Sequence, residues 1–204
     1  IYKLASILLT LALVLSTCVC AIGTASAATE ATYYVSPDGV DTADGLTVAT
    51  PVPTVDKAVN LALAAGCVKG DTVYVKVIHV PDKVNVWTTA SNNLITAHEF
   101  TLDVSSYADK AQISDGAQTH FNGPTNISNI KFGWGGWKGP NLNANDVVIG
   151  EGVGTVYAEY NINLANANKA YDKDVNLTLK GSINRPFYLG GDWAGPIYNG
   201  NLYI

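Results

Sequence analysis

The chain opens on an almost unbroken apolar stretch, residues 4–19, preceded by Lys3 and followed by Gly23-Thr24-Ala25-Ser26-Ala27-Ala28. A basic flank, a short apolar core and a small-x-small tail make up a secretion signal. Cleavage is expected after Ala27, with Ala25 and Ala27 in the small-residue positions. The apolar core is short for a membrane span. Two alternatives remain: a retained anchor, or lipidation at Cys18 after Leu15-Ser16-Thr17, where threonine fits poorly before the cysteine. With residues 1–27 assigned to the signal, the mature chain is expected to start at Ala28.

Thr32-Tyr33-Tyr34-Val35-Ser36 is β-branched and aromatic and runs into Pro37-Asp38-Gly39, which reads as a strand and a turn. A loop passes Asp41, Asp44, Gly45, Pro51 and Pro53. Thr54 then stands where an N-cap is needed, with Asp56 and Lys57 in the first turn. Val55, Ala58, Val59, Ala62 and Leu63 recur at helical spacing, so a helix over residues 54–65 with one apolar face is expected, ending at Gly66. Gly70-Asp71 turns the chain into Thr72-Val73-Tyr74-Val75-Lys76-Val77-Ile78, a strongly β-branched strand.

Beyond this point the pattern becomes short apolar runs separated by Asn, Asp and Gly. They begin at residues 100, 127, 147, 175 and 187, so successive starts lie 27, 20, 28 and 12 residues apart. The first three intervals suit one turn of a solenoid. Local wording recurs as well: Asn145-Asp146-Val147-Val148-Ile149-Gly150 is similar to Lys173-Asp174-Val175-Asn176-Leu177-Thr178. No second helix of useful length alternates with these strands, which leaves a β-solenoid or a sandwich. In a solenoid, the segment 54–65 would cover the open apolar end of the stack.

Tyr33-Tyr34-Val35-Ser36-Pro37-Asp38-Gly39, the Pro-rich loop, Thr54-Val55-Asp56-Lys57-Ala58-Val59 and Gly70-Asp71-Thr72-Val73-Tyr74-Val75 together resemble a known N-terminal cap. It belongs to right-handed parallel β-helix proteins of the pectate-lyase-like superfamily, some of which are polysaccharide lyases. The pieces match in order and spacing over residues 32–78, and Gly66-Cys67-Val68-Lys69 departs from the family's usual short link. Downstream, residues 122–130, 143–152 and 175–191 resemble β-helix turns of large repetitive surface proteins from Gram-positive gut bacteria. The resemblance implies an all-β fold: a right-handed parallel β-helix with a short capping α-helix. Its expected parts are a signal peptide at 1–27, a strand–helix–strand cap at 28–80, and turns at 81–204 that are truncated at the C-terminus.

Charge and cysteine content narrow the function. The formal net charge is −5, one unit more negative once Lys3 leaves with the signal, and Arg185 is the one arginine. That leaves no electrostatic footprint for nucleic acid. Of the cysteines, Cys18 and Cys20 lie in the signal and Cys67 remains, so packing rather than disulfides must hold the exported chain.

A lyase of the resembling superfamily would need a carboxylate-bound calcium and a Lys or Arg base. Asp146, Glu151, Glu159, Asp172, Asp174 and Asp192, with Lys169, Lys173, Lys180 and Arg185, form no dense cluster by spacing. No catalytic residue is assigned. Asp38, Asp41 and Asp44, among Gly39 and Gly45, could gather oxygens around calcium, but the spacing is not that of the twelve-residue calcium loop and ordinary turns are favoured. Trp134 and Trp137 in Trp134-Gly135-Gly136-Trp137, with Trp193 after Gly190-Gly191-Asp192, could stack on sugar rings or pack over the side of the fold. His79, His98 and His120 show no metal-ligand spacing, and Cys67 is expected to be buried near the helix end. The expected function is a secreted, cell-surface or wall-associated adhesin or scaffold that touches polysaccharide or cell-wall glycan without catalysis. The alternative is a polysaccharide lyase whose catalytic turns lie partly beyond residue 204.

Overall fold

The computed structural model describes residues 28–82, 93–113, 119–132 and 175–180, together with short strand segments elsewhere in the second half of the chain. Its best-packed part is a parallel sheet of four strands, β1 (Glu30–Val35), β2 (Thr72–Val77), β4 (Thr101–Ser106) and β7 (Thr125–Ser128), paired in that order. Between β1 and β2 runs α1 (Val55–Ala64). Parallel neighbours cannot be joined by a tight hairpin, so the chain must cross over, and here the crossover contains the helix.

Thr54 starts α1. Its backbone is extended, and its hydroxyl accepts a hydrogen bond from the Lys57 amide at 3.0 Å. One of the amides that a helix start leaves without a partner is thereby satisfied. Thr54→Ala is expected to lower stability by about 1 kcal/mol, measured as a lower urea midpoint with an unchanged slope. Val55, Ala58, Val59 and Ala62 form the buried stripe of α1, and each of its two valines contributes about 1.5–3 kcal/mol by leaving water. The helix closes where the Gly66 and Cys67 amides donate to the Leu63 and Ala62 carbonyls, with Gly66 at positive φ. Cys67 is buried beside this end, as its sequence context suggested.

The alternation along the strands decides what faces inward. β1, β2, β4 and β7 set Ala31, Val73, Leu102 and Thr125 in one row, and Tyr33, Val75, Val104 and Ile127 in the next. Phe100, Phe121, Ile95 and Ile130 complete the core around them. Thr125, the polar member of the first row, donates its hydroxyl to the Gly123 carbonyl at 2.7 Å. At the head of β2, the Asp71 carboxylate accepts from the amides of Thr29 and Val68. These two hydrogen bonds hold its carboxyl below the usual carboxylate range and tie the start of β1 to the start of β2.

β1 is an edge strand, and the loop that follows it covers part of that edge. The Tyr34 amide donates to the Gly45 carbonyl, the Ser36 amide to the Val52 carbonyl, and the Val52 amide back to the Tyr34 carbonyl. Val35 and Val52 form a parallel bridge. Covering an edge in this way blocks pairing with other chains.

Further pairing is also parallel. On the far side of β7 the same sheet continues through β10 (Asp146–Ile149), β13 (Val175–Leu179) and β15 (Leu202–Tyr203). Two smaller sheets join strands of two or three residues. One takes the order β11 (Gly154–Thr155), β8 (Ile130–Phe132), β5 (Ala111–Ile113). The other runs β14 (Phe187–Tyr188), β12 (Ile162–Asn163), β9 (Asn141–Leu142), β6 (Thr119–Phe121), β3 (Asn93–Leu94).

The expectation of an all-β, right-handed parallel β-helix with a capping helix is corrected here. The packed body is a small four-stranded parallel sheet with one helix, and the described residues do not define a regular solenoid. α1 sits in a β-α-β connection with its apolar stripe on β1 and β2 rather than serving only as a lid on a stack. The physical reason is that alternating apolar residues report one buried face, which a parallel sheet backed by a helix supplies as well as a coil of turns does.

Candidate binding face

The outward rows of the four-stranded sheet bring together residues far apart in the chain. One row reads Thr32, Tyr74, Asp103, Asn126, and the next reads Tyr34, Lys76, Ser105, Ser128. Period-two alternation puts them all on the face opposite the core. Tyr107 follows β4, held by its amide on the Val77 carbonyl, and its ring meets Tyr34 edge-on with centroids 5.5 Å apart at 76°. It stands 49% exposed at the rim of the face.

Polar contacts knit this surface. The Lys76 ammonium donates to the Ser105 hydroxyl at 2.6 Å and lies 5.5 Å from the centroid of the Tyr74 ring. The latter distance is within cation–π range. The Tyr74 hydroxyl donates to a Glu30 carboxylate oxygen at 3.2 Å. That bond, reinforced by the charge of Glu30, pushes the Tyr74 phenol above its ordinary pKa, so the hydroxyl stays a donor. Lys76 and Ser105 are within the reach of a Ser–Lys nucleophile pair, yet Ser105 is only 7% exposed. The Lys76–Ser105 bond stiffens the face. The arrangement suits binding: flat rings with polar handles, held in place by neighbours, next to amide and hydroxyl groups.

The sequence-derived candidates fare differently. Trp134, Trp137 and Trp193 lie outside the described residues, as do residues 1–27 and the side chain of His120. Asp38, Asp41 and Asp44 are all exposed on the loop after β1. The Asp44 carboxylate accepts from the Leu46 amide at 3.0 Å and the Thr50 hydroxyl at 2.7 Å, bonds that hold its carboxyl below the usual range. The Asp38 amide donates to the Ser36 hydroxyl at 3.2 Å. Among the described residues, no group of three or more His, Cys, Asp or Glu stands together as a metal-ligand set. Asp44 thus closes its own loop.

Tyr34, Tyr74, Lys76 and Tyr107 were not singled out from the sequence. The one available signal was the run of Tyr, Lys and Asp at alternate positions of three strands. Only the pairing register turns that run into a patch. No protein-family model matches the chain, and no curated protein or solved structure matches it either.

Proposed function

We propose that this chain is a secreted, cell-surface or wall-associated protein that binds polysaccharide without catalysis, through the outward face around Tyr34, Tyr74, Lys76 and Tyr107. The observation that carries the reading is the aromatic and hydrogen-bonding face itself. Pyranose rings present apolar C–H faces edged by hydroxyls, and tyrosines flanked by Lys76, Asp103 and Asn126 complement both parts. Export is supported by Lys3, the apolar stretch 4–19 and Ala25-Ser26-Ala27.

The test is affinity electrophoresis and calorimetry against a panel of neutral and acidic cell-wall polysaccharides. Tyr107→Ala removes an exposed ring and leaves the core untouched, so affinity is expected to fall about tenfold, or ~1.4 kcal/mol, while the thermal midpoint holds. Equal affinity in the wild type and Tyr107→Ala, or binding to no member of the panel, would refute the reading.

A further inference from the structure

The segment leading into β4 is locked to the turn before β7 around one imidazole. The His98 amide donates to the Asn122 carbonyl at 3.2 Å, the Asn122 side-chain amide donates to the Ile95 carbonyl at 2.8 Å, and the Leu102 amide donates to the Pro124 carbonyl at 2.9 Å. The His98 ring is 7% exposed, stacks on Phe100 with centroids 4.5 Å apart, and has Nδ1 2.9 Å from the Phe100 carbonyl. That carbonyl can only accept, so Nδ1 carries the proton and Nε2 presents its lone pair. Nε2 is buried and has no hydrogen-bond partner among the described residues. The turn presses so closely that a Cβ on Gly123 would stand 2.4 Å from the ring and 2.6 Å from the His98 carbonyl oxygen.

We propose that His98 is an acid-sensitive latch on this joint: uptake of a solvent proton at Nε2 releases the segment 95–100 from the turn 122–124. A protonated imidazole needs a hydrogen-bond acceptor at each nitrogen, and the site supplies one, at Nδ1. No ionised side chain among the described residues is placed to compensate. Glu99, beside it, is exposed, and Asp103 on β4 belongs to the outward row. On α1, Asp56 accepts from the Thr96 amide and hydroxyl, next to Lys57. Asp71, whose carbonyl receives the Thr101 amide, has its carboxylate taken by Thr29 and Val68. Asn122, Gly123 and Pro124 in the turn carry no charge. Burial holds the imidazole below its ordinary value of 6.5, against a weaker opposing effect of the Phe100 carbonyl.

The sign follows from linkage. Above pH 6.5 the ring is neutral in both folded and unfolded chains and pH has no effect through it. Below it the unfolded chain takes up the proton first, so stability falls with falling pH until the folded-state value is reached. The latch is independent of the binding reading.

The experiment is urea unfolding of the full chain between pH 7.5 and 5.5, for wild type and His98→Gln, with amide exchange at His98 and Leu102. In the wild type the unfolding constant is expected to rise up to about tenfold per pH unit below the ordinary histidine value, with lower protection factors at both amides. His98→Gln should lose that portion of the slope. Independently of how well the variant folds, the wild-type imidazole is also titrated by NMR and should remain neutral below its ordinary value. The same pH dependence in both proteins, or an ordinary imidazole titration in the folded chain, overturns the proposal.

Discussion

Phe100→Ala is expected to destabilise the protein by about 3–5 kcal/mol. The ring is fully buried, lies one residue before β4, and is the stacking partner of His98. Two losses combine. The removed ring forfeits its transfer free energy, and the cavity beneath β4 cannot collapse, because β4 is held on both sides by β2 and β7. A domain of this size has about 5–15 kcal/mol in total, so the variant should be near its unfolding threshold. Urea titration followed by far-UV circular dichroism is the measurement. Phe100→Leu, which refills most of the volume, should recover more than half of the loss. A cost below about 1 kcal/mol for the alanine variant would mean that the site can repack, and that the core is not organised around this ring.

Gly39→Ala is the second. A Cβ there would fall 2.3 Å from both the carbonyl carbon and the oxygen of Val52 and 2.6 Å from the Pro53 nitrogen. These are backbone atoms, so no rotamer change relieves the clash and the loop itself must move. Val52 is fully buried and bridges Val35, and Pro53 leads directly into the Thr54 cap. Moving it breaks the hydrogen bonds of Ser36 and Val52 that cover β1, each worth about 0.5–1.5 kcal/mol. With the overpacking term, the expected loss is about 3 kcal/mol. A second readout separates this mechanism from general damage: the freed β1 edge should raise concentration-dependent association in light scattering. Val40→Ala, at a side chain 57% exposed on the same loop, is the control and should change stability by less than about 0.5 kcal/mol. Loss of stability without association would show that the loop does not guard the edge.

The corrected fold shows which kind of information the residues carry locally. Residues 54–65 read as a helix and α1 spans Val55–Ala64 with Thr54 as its cap, because capping and the spacing of Val55, Ala58, Val59 and Ala62 are properties of one segment. β2 likewise follows its β-branched run. The run at 127–132 read as one strand but divides into β7 and β8, because Asn129 takes a positive φ of 48° and turns the chain between them. Asparagine tolerates that conformation, so Asn129 was the one local mark of the break. Of the three aspartates after β1, Asp44 is bonded to Thr50 and Leu46 within its own loop, contacts that its spacing alone does not show.

His98 and the outward tyrosines illustrate the rest. Read along the chain, His98 has no neighbour that marks it, and its burial arises from Asn122 and Gly123, more than twenty residues away. Tyr34, Lys76 and Ser105 become one row only through the register of two separate strand pairings. Local pattern was enough for the apolar leading segment, the helix with its cap, the inward and outward faces of the long strands, and Cys67 as the one cysteine of residues 28–204. Tertiary structure alone decided that β1, α1 and β2 form a crossover on a parallel sheet, which side chains meet on its outer face, and which imidazole is sealed inside. Local rules set the period of burial within a segment, whereas the choice of neighbour depends on pairing between distant segments, which no window of the chain contains.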